Sequence, residues 1–413
     1  LSSHPSASAR GQTADRLLVI DEAQDQVGAH IEAIFTPMRA ASNATAVYTG
    51  TVKLTTDFLW QKKVELEAEQ ARDGAQRVFL VKPDEVMAAN PAYRIFLERQ
   101  VRKHGRHHPI IASEYFLEPV DGSGGLFPER RRMLMQGSHG RQRSPATGRV
   151  YVATLDVAGE DEAATDALAQ LENPGRDYTV ATIFEVEFPR PGVYAPGPSY
   201  RAVDVFVDHG SKHFQDYAGR PALVHRLLGW LENWHPAHLL ADESGVGQGL
   251  VSWLTAALGA HRVTGYSFAG RAKKAALGSA LVSLVETGRF RYWAGDSAEP
   301  LSDGWWFWQQ VGACGYEVPP DGQFDRDLRW GVAASHRTQT PAGPRPTHDD
   351  RLLSAALVAE LDRLYRTGKL VLGVGESDVI EAADPLSGHV YSGDGGGSRR
   401  GLRFTQAPGS GAK

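Results

Sequence analysis

The sequence predicts an α/β protein: a short strand-and-turn segment near the start, then a larger domain with a mixed sheet flanked by helices. The apolar run Leu17 to Ile20 leads straight into an acidic turn, as a buried strand does. From Val150 onward, strand patterns alternate with helical patterns, which is typical of α/β domains. Residues 58 to 110 between these regions have helical spacing and many basic side chains. The first β segments after Val150 follow one another closely, which favours an antiparallel meander within the sheet.

Composition narrows the class of protein. The chain has 413 residues, enough for two or three domains, and its 42% hydrophobic and 23% charged content is ordinary for a globular protein. No apolar run approaches the ~20 residues that span a bilayer, and the first residues lack the apolar centre of a secretory signal. The chain does not begin with Met, so we expect it to start partway through a longer product.

Cysteine usage and charge restrict the chemistry. Cys314 is the single cysteine, which excludes an internal disulfide, argues against a zinc-cysteine cluster and fits a reducing cytoplasm. The formal net charge of -5 is not that of a general nucleic-acid binder. Any DNA contact must therefore come from a local basic patch beside an acidic site.

Acidic residues occur at three places where a predicted element ends or begins. Asp156 ends the apolar run that starts at Val150, Asp242 ends a second apolar run, and Asp349 and Asp350 stand at the head of a helix. Many strands end in Asp, and a helix start explains one capping acid. A histidine followed by two aspartates exceeds what a cap requires. The three positions together indicate a shared Mg²⁺ or Mn²⁺ site made of hard oxygen ligands.

The N-terminal strand ends in Asp21 and Glu22, the layout of a Walker B motif. In that motif the Asp holds the Mg²⁺ of the nucleotide and the Glu polarises the attacking water; an ordinary acidic turn after a strand is the alternative. A second strand, Ala46 to Tyr48, ends in a Thr-Gly-Thr turn that could sense nucleotide state beside Walker B. The phosphate-binding pattern G-x-x-x-x-G-K-[ST] does not occur in the sequence, so this chain is not expected to hydrolyse ATP.

In order along the chain, these motifs resemble those of tailed-phage terminase large subunits, the DNA-packaging motors. SARGQTADRLLVIDEAQD resembles the approach to Walker B, VYTGT the coupling motif, and EYFLEPVDGSGGLFPE the linker. TLDVAGED, LLADESGVGQG, the Lys-bearing helix before ETGRF, and THDDRLLSAAL follow the order of the RNase H-like nuclease domain. The resemblance covers roughly residues 8–370.

The resemblance implies a partial P-loop ATPase domain followed by an RNase H-like nuclease domain. We expect residues 1–120 to be the C-terminal part of the ATPase domain without Walker A, and residues 121–145 to be a linker. Residues 146–375 would form the nuclease domain. The Gly/Ser-rich tail, 376–413, is expected to be disordered.

The resemblance also implies site residues. Asp21 would be the Mg²⁺-associated Walker B carboxylate, and Glu22 the catalytic glutamate of ATP hydrolysis. The nuclease triad would be Asp156, Asp242 and Asp350, with Asp349 in place of Asp350 if the register differs. The loop after Asp156 is longer than the family pattern, so the further candidate acids are Asp161 and Asp177.

The implied function is Mg²⁺- or Mn²⁺-dependent endonucleolytic cutting of concatemeric double-stranded DNA during ATP-driven genome packaging, with two ions held by the carboxylates. ATP-Mg would bind only where the Walker A region is present. The implied partners are double-stranded DNA, a portal protein, a small terminase subunit and further copies in a ring on the portal. The implied location is the cytoplasm of the bacterial host, outside the mature virion and without a membrane.

Three alternatives stay open at this point. An RNase H-like resolvase or transposase shares the carboxylate chemistry, but it does not need DEAQ followed by a Thr-Gly-Thr strand end. A non-catalytic prophage remnant would only dock on packaging partners; the retained acids argue against it for the nuclease half. A nucleotide-binding regulator is disfavoured because the phosphate loop is absent.

Overall fold

The computed structural model describes residues 11–158, 177–190, 195–209, 211–217, 219–245, 247–268, 270–319 and 322–372. These residues all belong to one compact unit. The predicted disordered tail, 376–413, and the candidate acid Asp161 lie outside the described residues.

The strands are numbered along the described residues. They are β1 (Leu17–Ile20), β2 (Thr45–Tyr48), β3 (Ser123–Gly125), β4 (Gln136–Gly137), β5 (Val150–Asp156), β6 (Thr179–Glu187), β7 (Ser199–Asp208), β8 (His238–Asp242), β9 (Val263–Tyr266), β10 (Phe290–Trp293), β11 (Cys314–Glu317), β12 (Arg329–Val332), β13 (Arg337–Thr340) and β14 (Gly343–Pro346).

The helices are numbered in the same way. They are α1 (Gly28–His30), α2 (Phe58–Asp73), α3 (Pro83–Ala89), α4 (Pro91–His104), α5 (Pro109–Phe116), α6 (Glu129–Met135), α7 (Leu223–Trp234), α8 (Gly247–Leu258), α9 (Arg271–Glu286), α10 (Asp303–Ala313), α11 (Phe324–Asp327), α12 (Asp350–Ala356) and α13 (Val358–Arg366). Short helical turns at Ala23–Asp25, Ile31–Phe35 and Thr36–Arg39 connect β1 to β2.

A seven-stranded mixed sheet forms the centre of the fold, in the order β4-β10-β7-β6-β5-β8-β9. Strands β5, β6 and β7 are antiparallel to their neighbours in sequence, the predicted meander. Strands β8 and β9 then add in parallel beside β5, and β10 adds in parallel beside β7. The predicted fold class, α/β with a large mixed sheet and helices, is confirmed.

Helices cover the two faces of this sheet with separate apolar cores. Val152 and Leu240 belong to one buried cluster, together with Leu352 of α12. Their neighbours Ala153 and Leu239 belong to the other, which α7 and α8 cover. Successive side chains of a strand point to opposite faces. The residues that end β5 and β8, two positions after an α12-facing residue, therefore point to the α12 side.

The N-terminal segment forms a smaller sheet of two parallel strands, β1 and β2, with Leu17 opposite Thr45 and Ile20 opposite Tyr48. A small buried cluster that includes Ile20, Phe35 and Phe58 lies beneath it. Strand β1 has the predicted bounds, and β2 begins one residue earlier than predicted. The β1 and Thr-Gly-Thr motifs are thus structural neighbours.

Residues 121–145, expected to be a linker, contribute to two sheets. Strand β3 pairs antiparallel with β11, and β4 pairs parallel with β10 at the edge of the central sheet. The domain bounds stay a prediction. Among the described residues, no helix combines the length and apolar character needed to cross a bilayer.

Candidate functional site

The structure brings Asp156 and Asp242 together on neighbouring strands. Strands β5 and β8 run parallel with Leu155 opposite Ala241, so the next residue on each strand is Asp156 and Asp242 respectively. Neighbouring strands lie about 4.8 Å apart, and equivalent positions point to the same face. Both aspartates are buried, each with 7% of its surface exposed. Two carboxylates therefore share one edge of the sheet, on the side of α12.

Helix α12 brings the third acid to this edge. Asp350 is its first residue and is buried, and the Tyr178 backbone N–H donates a hydrogen bond to Asp350 Oδ2 at 3.0 Å. Asp349 is the N-cap residue, but its side chain makes no capping hydrogen bond. Its Oδ2 instead lies 3.9 Å from Lys274 Nζ. Capping therefore does not account for the Asp349 carboxylate.

The pKa shifts register how closely the acids approach one another. Burial raises the pKa of Asp156 well above its ordinary value, and the charges of four other carboxylates raise it further: Asp350, Asp242, Asp349 and Asp177. Burial also raises the pKa of Asp350 to about 7, although the hydrogen bond from the Tyr178 N–H opposes that rise. Burial raises the pKa of Asp242, against the hydrogen bonds from Ser244. A divalent cation would relieve this repulsion.

Asp177 and His348 lie beside Asp350. His348 Nδ1 is 3.0 Å from Asp177 Oδ1, and this contact lowers the pKa of the Asp177 carboxyl. One ligand atom from each of Asp177, His348 and Asp350 lies within 4.8 Å of the others. The sequence pointed to Asp177 as a further acid and to the histidine of the HDD run. It gave no signal that these two residues would meet.

An aromatic and basic layer, which the sequence did not reveal, surrounds this group. The Tyr178 ring stacks on His209 with centroids 4.5 Å apart, and it meets the edge of His348 at 5.9 Å. The Arg351 guanidinium lies 5.4 Å from the Tyr178 ring centre and donates a hydrogen bond to Asp303. Tyr178 is therefore held from both its backbone and its ring.

The Walker B acids occupy a different place, at the end of β1. The Thr49 hydroxyl donates to Asp21 Oδ1 at 2.6 Å, and Gln24 Nε2 donates to Glu22 Oε2 at 2.6 Å. Glu22 has a positive φ of 48°, a conformation that non-glycine residues adopt infrequently. Within the described residues, no hydrogen bond or ion pair links Asp21 or Glu22 to the acids around Asp156.

Comparison with solved structures gives likenesses of one kind. The large terminase nuclease from thermophilic phage G20c with bound magnesium is 16% identical, over 57% of this chain and 96% of that one, with a TM-score of 0.38. A full-length large terminase from another thermophilic bacteriophage is 9% identical, over 86% and 70%, with a TM-score of 0.40. The HK97 bacteriophage large terminase is 14% identical, over 86% and 72%, with a TM-score of 0.34.

The chain is thus similar to phage large terminases and to their nuclease domains. No family model matches the sequence, and no curated protein does. At these identities and TM-scores the likeness carries no conclusion about activity.

Proposed function

We propose that this chain is the nuclease-bearing part of a phage or prophage large terminase subunit, a metal-dependent endonuclease that cuts concatemeric double-stranded DNA during genome packaging. The observation that carries the proposal is the meeting of acids from three separate elements. Asp156 ends β5, Asp242 ends β8 and Asp350 begins α12, and all three are buried at one edge of the sheet.

The pairing of other buried acids supports a functional reading of this cluster. Asp204 pairs with Arg141 at 2.8 Å, and Asp362 pairs with Arg289 at 2.6 Å. A buried charge is costly unless it is paired. Among the described residues, no Lys, Arg or His lies within ion-pair distance of the Asp156, Asp242 or Asp350 carboxylates. An accumulation of negative charge without such a partner fits a site for cations.

The donor set fits Mg²⁺ or Mn²⁺, because both ions prefer carboxylate oxygens. Asp156, Asp242 and Asp350 would hold the ions, with Asp349 as the alternative third ligand. When bound, such ions generate the attacking hydroxide from water and stabilise the charge that develops on the phosphodiester. The Tyr178 N–H fixes the Asp350 carboxylate in place. Lys274, beside Asp349, supplies positive charge at the rim, where a DNA phosphate would approach.

The N-terminal sheet supports a terminase over a resolvase or transposase. Those enzymes do not need a Walker B strand beside a Thr-Gly-Thr turn, and here the hydroxyl of Thr49 contacts Asp21 directly. In a protein that also carries a phosphate-binding loop, Asp21 would hold the nucleotide's Mg²⁺ and Glu22 would polarise the attacking water. We propose an ATPase only for such a protein.

The proposal extends to partners. A large terminase would act on a portal protein with a small terminase subunit, as a ring of copies, in the cytoplasm of the bacterial host. It would hold the DNA through phosphates without regard to sequence. DNA binding should then weaken steeply as salt rises.

A plasmid-nicking assay in Mn²⁺ tests the nuclease. The wild type should convert supercoiled plasmid, and EDTA should stop the reaction. Asp156→Asn and Asp242→Asn should each lose activity by a factor of about 100 or more, the loss typical of removing one group that stabilises a transition state. The matched control is Asp84→Asn, an exposed acid of α3, which should retain wild-type activity. Equal activity in all four proteins would remove the assignment of the acids.

A further inference from the structure

We propose that Asp177 and His348, together with Asp350, form a metal position with a nitrogen ligand, and that this position selects a first-row transition ion such as Co²⁺ over Mg²⁺. The inference rests on the proposed function in one respect, since it takes the Asp350 carboxylate as part of a metal centre. It adds a ligand of different chemistry and a consequence for which ion binds.

The distances suit a single ion. In an octahedral site with bonds of about 2.1 Å, adjacent ligand atoms lie about 3.0 Å apart and opposite ones about 4.2 Å apart. His348 Nδ1 and Asp177 Oδ1 are already 3.0 Å apart. The three ligand atoms, including that of Asp350, lie within 4.8 Å of one another. A closure of a few tenths of an ångström would therefore seat an ion.

The backbone ties these ligands together. Tyr178 follows Asp177 in the chain, and the N–H of Tyr178 donates to Asp350 Oδ2 at 3.0 Å. This hydrogen bond spans the peptide unit that joins Asp177 to Tyr178, so it fixes the Asp177 backbone against the start of α12. An exposed Asp–His contact on two independent loops would have no such connection to a buried third acid.

The ring of His348 is held by its neighbours. It meets the Tyr178 ring edge to face at 5.9 Å, and Tyr178 in turn stacks on His209. Arg351 lies over the same Tyr178 ring and is anchored by Asp303 at 2.9 Å. Packing of this kind orients a ligand before the metal arrives, which is how outer residues strengthen metal sites.

The nitrogen ligand sets the preference among ions. Mg²⁺ takes oxygen ligands, whereas imidazole suits first-row transition ions, whose affinity rises from Mn²⁺ through Co²⁺ to Ni²⁺. The pair Asp156 and Asp242 offers only carboxylate oxygen. The centre would thus have two unlike halves, one suited to Mg²⁺ and one to Co²⁺.

Titration of the metal-stripped full chain with Co²⁺ and with Mg²⁺, by calorimetry and proton NMR, tests this. The wild type should show a hyperfine-shifted, exchangeable imidazole N–H signal with Co²⁺. His348→Gln should lose that signal and weaken Co²⁺ binding at this position by about 10-fold to 100-fold. Its Mg²⁺ affinity should change by less than about 3-fold, because magnesium gains little from nitrogen. His261→Gln, a change at an exposed turn before β9, is the matched control and should keep the signal.

The results separate this inference from the proposed nuclease. An unchanged cobalt signal in His348→Gln would overturn the nitrogen ligand and leave plasmid cleavage untouched as a question. A wild type that shows the signal but cuts no plasmid would instead sink the nuclease and keep the metal position. If His348→Gln melts below the wild type without metal, Asp177→Asn at an exposed residue provides the same comparison. It should weaken Co²⁺ binding, and unchanged binding would count against the site.

Discussion

The Thr49 hydroxyl donates a hydrogen bond to the Asp21 carboxylate, with 2.6 Å between Oγ1 and Oδ1. The residues directly follow β2 and β1, two parallel strands whose ends meet at one edge. The backbone N–H of Glu22 donates to the same Oδ1 at 3.1 Å. The Asp21 carboxylate is therefore positioned by its own turn and by the neighbouring Thr-Gly-Thr turn. Movement of either turn would be felt by the other.

Removing the Thr49 hydroxyl should loosen the end of β2. Thr49→Val keeps the shape of the side chain and loses the donor, so backbone amides of Thr45–Tyr48 should exchange with deuterium several times faster. The bond is exposed, so the free energy of unfolding should fall by less than about 1 kcal/mol. Hydrogen exchange followed by mass spectrometry measures this. Thr49→Ser retains the hydroxyl and should behave as the wild type; faster exchange in both variants would rule out the hydrogen bond as the cause.

The positions of the strands and their acids were predictable because local patterns encode them. The apolar runs that end at Asp156 and Asp242 mark buried strands, and the helix start at Asp350 follows from the apolar stripe behind it. The parallel pairing of β5 with β8 is not encoded locally. It depends on how α7 and α8 pack on one face and α12 on the other.

Contacts between distant side chains were beyond reach of the sequence. Asp177 and His348 are separated by 171 positions, and no periodicity relates them. The stacking of Tyr178 on His209 is equally non-local. The acids at Asp349 and Asp350 had a local explanation as caps, but the Asp349 side chain caps nothing and faces Lys274. Only the packed structure distinguishes the two roles.

Without metal, the raised pKa of Asp350 should make stability fall as pH rises. Its pKa is about 7 in the folded protein and near the ordinary 3.8 when unfolded, so between these values the folded state binds the extra proton. The free energy of unfolding therefore carries no penalty from this group below about pH 4. The penalty grows through the interval and is complete above about pH 7. Denaturation in EDTA across this range measures it.

The comparison that isolates this effect is wild type against Asp350→Asn. Burial lowers the pKa of His104 to about 4 and of His108 to about 3, and these groups push stability in the opposite direction over the same range. Both histidines are present in both proteins, so their effect cancels in the difference. The variant should gain stability relative to the wild type as pH rises from 4 to 7. A difference that stays flat with pH would show that Asp350 ionises normally.

Asp156→Asn should exchange metal response for stability. At pH 7 without metal, the amide removes a buried charge that four carboxylates oppose, so the variant should melt above the wild type. Adding Mn²⁺ at 100 times its Kd should stabilise the wild type by about 2.7 kcal/mol and the variant by far less. Thermal melts with and without Mn²⁺ measure both. Exposed Asp84→Asn should match the wild type in each condition; an equal gain from Mn²⁺ in Asp156→Asn would place the ion elsewhere.

A methyl group at Gly278 should disturb the site from behind. A Cβ built at Gly278 of α9 would lie 2.7 Å from Trp330 Cδ1 and 2.9 Å from Cε2, closer than carbon atoms pack. Trp330 Nε1 donates to the Lys274 backbone carbonyl at 2.7 Å, and the Lys274 ammonium lies 5.5 Å from the ring centre. Displacing the indole would therefore shift Lys274 away from Asp349.

Gly278→Ala should consequently lower the free energy of unfolding by about 1–3 kcal/mol, the usual cost of overpacking a core, and should weaken DNA binding at low salt. Urea denaturation followed by tryptophan fluorescence, and binding of a DNA duplex at several salt concentrations, measure the two effects. Gly229→Ala in α7 is the matched control, because a Cβ there meets nothing within 4 Å. Alanine is the better helix former by up to about 1 kcal/mol, so that variant should be as stable as the wild type or more so. If Gly278→Ala also proved as stable as the wild type, the indole would have room to move, and Lys274 would not depend on it for its place beside Asp349.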